Sequence, residues 1–477
     1  MFTRKQNLQK NTVSPKYKVR RKHIIRILTY GTLTSLLVIV FAGCGERITP
    51  PEKVELEYWG VWNEKSEIQK IITDFNAKYS HISIKYRKLR YEEYQDLLLT
   101  GWAQDKGPDI FAIQNSWVGA YKNFIEPMPQ SMTVKRKYIK ESFAGAKKDE
   151  VVEEVKIPGY DARTLNQKFV QVMVDDAVIN NQIYGLPLSI DTLAMYYNRD
   201  LLSQAQITQP PTLWSEFIEI IPRLTLLDQD GNIIRSGAAM GATQNVDRAV
   251  DILANLMLQN GTNIVEEKRV VLTQESATQK GYYPGPRALE FYTDFAVPTK
   301  QVYTWNENMP NSLEAFAQGR VAFFFGYAYH LPLVQAQAQG INFDIVKFPQ
   351  IDTNRTVNFA NYWIETVAKK SEHQNEAWAF LQFATDEENV IPFLEKSKKP
   401  TALLSLITSQ VSENPILSPF IIQGLTAKSW YSGRKPVEAE AALENAIQKI
   451  LAKDVPEEGD PYAKVLQDVA KKIQGTL

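Results

Sequence analysis

From Val54 to Gln114 the apolar spacing switches repeatedly between that of a strand and that of a helix. This alternation constrains the fold more than any other feature. The stretch VELEYWGVW (54–62) is rich in β-branched and aromatic residues and reads as a strand. SEIQKIITDFNAKY (66–79) places Ile68, Ile71, Ile72, Phe75 and Tyr79 at helical spacing, with Ser66 as the expected N-cap. HISIKYRKL (81–89) alternates as a strand, 91–103 is helical again, and GPDIFAIQ (107–114) is a turn leading into a buried strand. Strands alternating with helices predict an α/β lobe with a largely parallel sheet. Single cores stop growing near about 250–300 residues, and this chain has 477. Two lobes are therefore expected.

Farther along, residues 130–181 carry clusters such as KKDEVVEEVK and predict an exposed, helix-rich excursion. In IYGLPLSIDTLAMYYNRDLL (183–202), Gly185 and Pro187 interrupt an apolar strand and Asp200 begins a helix. TLWSEFIEIIPRL (212–224) is a helix that tolerates Pro222 only near its end. VDRAVDILANLMLQNG predicts an amphipathic helix over 246–261, with Gly261 closing it. RVAFFFGYAYH (320–330) is a buried strand opening into an aromatic loop, and NFDIVKFP (342–349) is another strand. NEAWAFLQFAT (375–385) and most of the last seventy residues read as helix. Asp228, Asp230 and Asn232 resemble the start of a calcium loop, but its twelfth position would be Ala239 rather than a glutamate. A hairpin turn around Asp230–Gly231 is the better reading.

The N-terminus carries an export signal. Nine basic residues and no acid precede an apolar run from Ile27 to Phe41, then Ala42, Gly43 and Cys44. Cys44 is the chain's single cysteine and sits where a lipobox would place the lipidated thiol. Phe41 departs from the usual aliphatic residue there, so an uncleaved membrane anchor is the alternative. Gly45–Lys53, with Pro50 and Pro51, reads as a tether. The full chain has 54 basic and 54 acidic residues; without the leader the count is 45 against 54. That balance disfavours nucleic acid, whose binding rests on phosphate neutralisation. The histidines His23, His81, His330 and His373 form no ligand spacing, so no zinc site is expected. Neither a GxSxG elbow nor HExxH occurs.

The ordered set LEYWGVWNE, FNAKYSHISIKY, GPDIFAIQ, IYGLPLSIDTLAMYYNRDLL, AFAQGRVAFFFGYAYHL and NYWIETVAKKSEHQNEAWAFLQFAT resembles the extracellular solute-binding proteins of ABC transporters, family 1, the maltose-binding-like group. The resemblance implies a two-lobed periplasmic-binding-protein-like type II α/β fold with hinge crossings and a ligand cleft. It places the first crossing near 184–191 and the return near 348–361. The implied division is a leader (1–43), a tether (44–53), lobe 1 (54–186 and 357–402) and lobe 2 (187–356, then C-terminal helices over 403–477). It further implies a monomeric receptor without cofactor or metal, lipid-anchored on the outer face of a bacterial cell membrane and serving ABC permease subunits.

Ligands of such sheets sit at strand C-terminal ends and crossings. That rule and the family pattern point to Trp62 and Glu64 with Asn63, to Asn115 and Trp117 with Ser116, and to Asp191 with Ser189 and Tyr196. They also point to Tyr327 and Tyr329, to Asn361 and Trp363 with Tyr362, and to Trp430 with Tyr431 and Arg434. Aromatic faces cover the apolar side of a pyranose, and Asp, Glu and Asn satisfy its hydroxyls. A carbohydrate ligand is therefore expected. A polyamine or peptide-like solute would also suit acids and aromatic faces. A surface glycoside hydrolase would need a carboxylate pair, such as Glu64 and Asp191. Trp102, Trp214, Trp378 and at least one of Tyr58 and Trp59 are expected in the core.

Overall fold

A helix between two strands returns the chain to the same end of a sheet, which forces parallel pairing. In the computed structural model, which describes residues 51–141, 148–455 and 458–477, that rule orders the first lobe. The chain runs β1 (Val54–Gly60), α1 (Lys65–Lys78), β2 (Ile82–Lys88), α2 (Tyr91–Ala103) and β3 (Ile110–Gln114). β1 pairs in parallel with β2, Val54 opposite Ile82, and with β3, Tyr58 opposite Ile110. The leader and Cys44 lie outside the described residues.

α1 begins one residue before the expected N-cap. Glu64, not Ser66, caps it, because Glu67 reaches back and accepts the Glu64 backbone N–H at 2.8 Å. The excursion also differs from expectation. It opens with two long strands, β4 (Ser131–Glu141) and β5 (Lys148–Pro158), before the helices α3 (Ala162–Lys168) and α4 (Gln171–Ala177). Met132 and Val134, two apart, are buried while Thr133 and Lys135 are exposed. The charged neighbours hid this period of two. The chain divides into two units, one that includes the described residues 139–141 and 148–152, the other of 51–138 and 153–477. In the first, the described residues continue β4 and β5.

The larger unit holds two hydrophobic cores. The first gathers residues from Val54 to Ile190, then Ala360 to Leu406. The second gathers Leu193 to Phe359, then Leu417 to Ile473. The second is built on β6 (Ala194–Asn198), α5 (Trp214–Leu224), β7 (Ile233–Ala238), α6 (Ala249–Asn260), β8 (Val321–Gly326) and β9 (Phe343–Val346). Its sheet runs β9–β6–β8–β7, with Leu226–Leu227 at the edge. The turn between Leu227 and Ile233 is the hairpin expected there. Asp228 Oδ1 accepts the backbone N–H groups of Asp230 and Asn232 at 2.9 and 2.8 Å. Among the described residues no acid or histidine cluster is arranged to hold a metal.

Three segments join the cores side by side. Thr192 bridges Ala360. β10 (Asn358–Phe359) lies parallel to a later strand, Ala427–Lys428. Leu193 N–H donates to Phe359 O at 3.1 Å, and Asn361 N–H to Asp191 O at 3.0 Å. After the second crossing, β11 (Trp363–Val367) joins the first sheet antiparallel to β3, with Trp363 opposite Gln114. The first sheet is thus β11–β3–β1–β2, a parallel sheet with an antiparallel edge. Trp102, Trp214 and Trp378 are core, and so are both Tyr58 and Trp59.

Candidate ligand cleft

Strand direction decides what meets at the mouth of the first sheet. β1 and β3 end there, and antiparallel β11 begins there. Trp62, Trp117 and Trp363 therefore converge. The Trp117 and Trp363 rings lie 5.5 Å apart, and Trp62 and Trp363 6.4 Å apart. Tyr91, at the start of α2, completes the group at 5.9 Å from Trp62 and 6.1 Å from Trp117. Trp117 is only 1% exposed, whereas Trp62 is 53% exposed.

Facing them from the second lobe is the turn after β8. Tyr329, 44% exposed, stacks on Trp62 with centroids 6.3 Å apart and planes 16° apart. Behind it Tyr327 stacks on Tyr329 at 5.6 Å and 12°. Three nearly parallel rings thus run from one lobe into the other. Tyr327 itself is buried and donates its hydroxyl to Asp251 Oδ2 at 2.6 Å. Burial, then the Asp251 charge, holds that phenol well above its ordinary value, so it remains a donor.

Asp191 does not point free into solvent. Its carboxylate accepts the backbone N–H groups of Thr192, Ala328 and Tyr329 at 2.9, 2.9 and 3.2 Å. It pins the Tyr327–Tyr329 turn to the first crossing. Desolvation pushes its carboxyl up to about 7, against the pull of those donors. Glu64 is exposed at the start of α1 and ion-paired with Lys88.

A polar pocket adjoins the crossings, with about 380 Å³ of empty space, part of it open to solvent. Asn115, Asn361 and Trp430 line it, together with Gln114, Arg248 and Glu440. Trp430 is mostly buried and packs on Tyr431 at 5.3 Å. One chain of bonds crosses from lobe to lobe here. Gln114 Nε2 donates to Asn361 Oδ1 at 2.9 Å, and Asn361 Nδ2 to Asp251 Oδ2 at 3.3 Å. Arg248 grips the same Asp251 through Nε at 2.7 Å and a terminal nitrogen at 2.8 Å. A second knot surrounds Asp176. It accepts from Asn115 Nδ2 at 3.0 Å, Tyr362 Oη at 2.8 Å and Ser429 Oγ at 2.7 Å. Burial pushes Asp176 up to about 6, the three donors opposing.

The sequence reading missed Tyr91, Gln114, Arg248, Asp251 and Glu440. Arg248 and Asp251 fall inside the helix expected over 246–261. The helix in fact starts at Ala249, and Arg248 stands before it at φ +57°. A left-handed arginine is unusual, and its paired carboxylate is what holds it. Propensity alone carries no sign of that.

Two lobes joined by three crossing segments, with opposed aromatic faces beside a polar pocket, make up a two-lobed α/β fold with its candidate cleft at the crossings. The chain belongs to the bacterial extracellular solute-binding protein family, whose profile matches residues 70–419. It is 19% identical over 418 residues to the galactooligosaccharide-binding protein of Bacillus subtilis (strain 168), a match covering 85% of this chain and 86% of that one. A binding protein of Brucella abortus (strain 2308) is 35% identical over 60 residues, 13% of this chain. The matched stretch spans only 15% of that relative's length. Among solved structures, the cyclic alpha-maltosyl-1,6-maltose binding protein from Arthrobacter globiformis superposes with a TM-score of 0.68 at 15% identity, covering 89% of this chain and 98% of that one. Among the described residues no helix is long and apolar enough to cross a membrane.

Proposed function

We propose that this chain is the receptor of an ABC importer and that its solute is a sugar or oligosaccharide, held as the lobes close. The observation that carries this reading is the pair Trp62 and Tyr329, parallel, half exposed and on opposite lobes, beside the pocket of Gln114, Asn115 and Asn361. Flat rings cover the apolar C–H face of a pyranose, and the amides satisfy hydroxyls that would otherwise be buried unpaired at about 1–3 kcal/mol each. The similar Bacillus and Arthrobacter proteins, a galactooligosaccharide-binding protein and a cyclic alpha-maltosyl-1,6-maltose binding protein, support the same class. We read it as a binding protein without turnover. A hydrolase would need two free carboxylates flanking one bond, and Asp191 is committed to three backbone donors.

Thermal unfolding of the exported portion with neutral oligosaccharides, amino acids and polyamines tests this. A sugar at about a hundred times its Kd should add about 2.7 kcal/mol of stability, with no release of reducing sugar. Stabilisation confined to polyamines, or hydrolysis of the sugar, would overturn the reading.

The anchor is part of the proposal. Lipid on Cys44, followed by the proline-bearing tether, would keep the receptor at the membrane and raise its effective concentration at the permease. Cys44→Ser should release the protein from the membrane fraction and abolish incorporation of labelled fatty acid. A full-length, membrane-bound, unlabelled wild type would show an uncleaved helix instead.

A further inference from the structure

The pocket carries an uneven charge. Arg248 spends its guanidinium on Asp251 in a two-pronged pair of 2.7 and 2.8 Å, and that pair is neutral as a unit. A second carboxylate, Glu440, approaches the same guanidinium at 3.3 Å, and its side chain is 40% exposed. Glu440 belongs to the helix Pro436–Leu451. Glu444, one turn along that helix, adds charge of the same sign near it. The remaining polar lining, including Gln114, Asn115 and Asn361, is uncharged. Burial raises the Glu440 carboxyl and the Arg248 charge opposes that rise; ionised, Glu440 shares Arg248 with Asp251 and leaves the pocket wall one negative charge in excess.

Resting on the carbohydrate reading above, we propose that Glu440 is a specificity-determining residue: it makes this pocket accept an uncharged sugar unit and reject a uronic acid. A neutral hydroxyl can donate to the Glu440 carboxylate, and the amides can give and take bonds with its neighbours. A uronate at the same place would set carboxylate against carboxylate in a partly desolvated pocket, where like charges repel strongly. Specificity of this kind comes from the repulsive element as much as from new contacts.

Calorimetric titration at neutral pH tests the proposal. The probes are neutral gluco-, galacto- and manno-trisaccharides, against trigalacturonate, trimannuronate and a glucuronate-terminated trisaccharide. The wild type should bind a neutral trisaccharide at least roughly tenfold more tightly than its acidic counterpart. Glu440→Gln should shrink that ratio several-fold, while Glu444→Gln, which removes an equal charge outside the pocket lining, should shrink it much less. Equal affinity for both kinds of sugar, tighter binding of the uronate, or an equal effect of the two variants would overturn the assignment while leaving the carbohydrate reading intact. Silence toward every sugar, with both variants folded, would overturn that reading and this inference together.

Discussion

Trp117→Ala should lower folding stability by about 3–5 kcal/mol, and Trp62→Ala should barely change it. Both tryptophans belong to one cluster and both follow a strand of the first sheet. They differ in burial: Trp117 is part of the first core and packs on Trp363 and Tyr121 at 5.5 and 5.9 Å. Truncating it leaves a cavity beside β3 and β11. Trp62 has lost much less water, so its removal should cost about 0.5 kcal/mol or less. Its cost should appear in binding instead. Losing one stacking face should weaken sugar affinity by about 10–100-fold, in keeping with a central aromatic contact. Urea unfolding and calorimetric titration of the two variants separate the roles. If Trp62→Ala unfolds as readily as Trp117→Ala, Trp62 is packing rather than a ligand face.

Stability should fall as pH rises from about 5 to 8. Three carboxyls drive this: Asp176 pushed up to about 6, and Asp191 and Glu365 each pushed up to about 7, burial being the largest cause in every case. In the unfolded chain such groups titrate near about 4. Between those values the folded state holds more protons than the unfolded one, so each group destabilises the fold as pH climbs through its folded value. His330 acts in the opposite sense. Burial lowers it to about 3, and the unfolded histidine takes up a proton below about 6.5. Its contribution is therefore lost as pH falls below about 6.5, and it offsets part of the carboxyl effect only there. The net loss from pH 5 to 8 should be on the order of a few kcal/mol. Asp191→Asn should flatten the slope above pH 6 by up to about 1.4 kcal/mol per pH unit. Urea midpoints at several pH values check this; a stability that rises across the window would show that these carboxyls are ionised without penalty.

The fold was largely legible because its signals are local. Period placed β1, α1, β2, α2 and β3, and Gly261 closed α6 with φ +100° as its position after the periodic run predicted. Where charge masked the period, in β4 and β5, the reading went to helix. Trp62, Tyr329 and Trp363 are drawn together, and Asn115, Asn361 and Trp430 meet around the pocket. Both sets lie at strand ends or crossings, which a sequence can mark. Glu64 is engaged with Lys88.

By itself the sequence determined the alternation of strands and helices, the need for two cores, the acidic balance from Cys44 onward and the supply of aromatics at strand ends. Tertiary structure decided which of those aromatics are walls and which are faces, because burial depends on what packs from elsewhere. It also decided the charge of the pocket. Asn115 and Ser429 share a bond across 314 positions, and Arg248 meets Glu440 only because the third crossing brings the last helices back to the second lobe. Period and capping act over a few residues. A carboxylate's partner is set by the path of the whole chain, and no local pattern encodes that path.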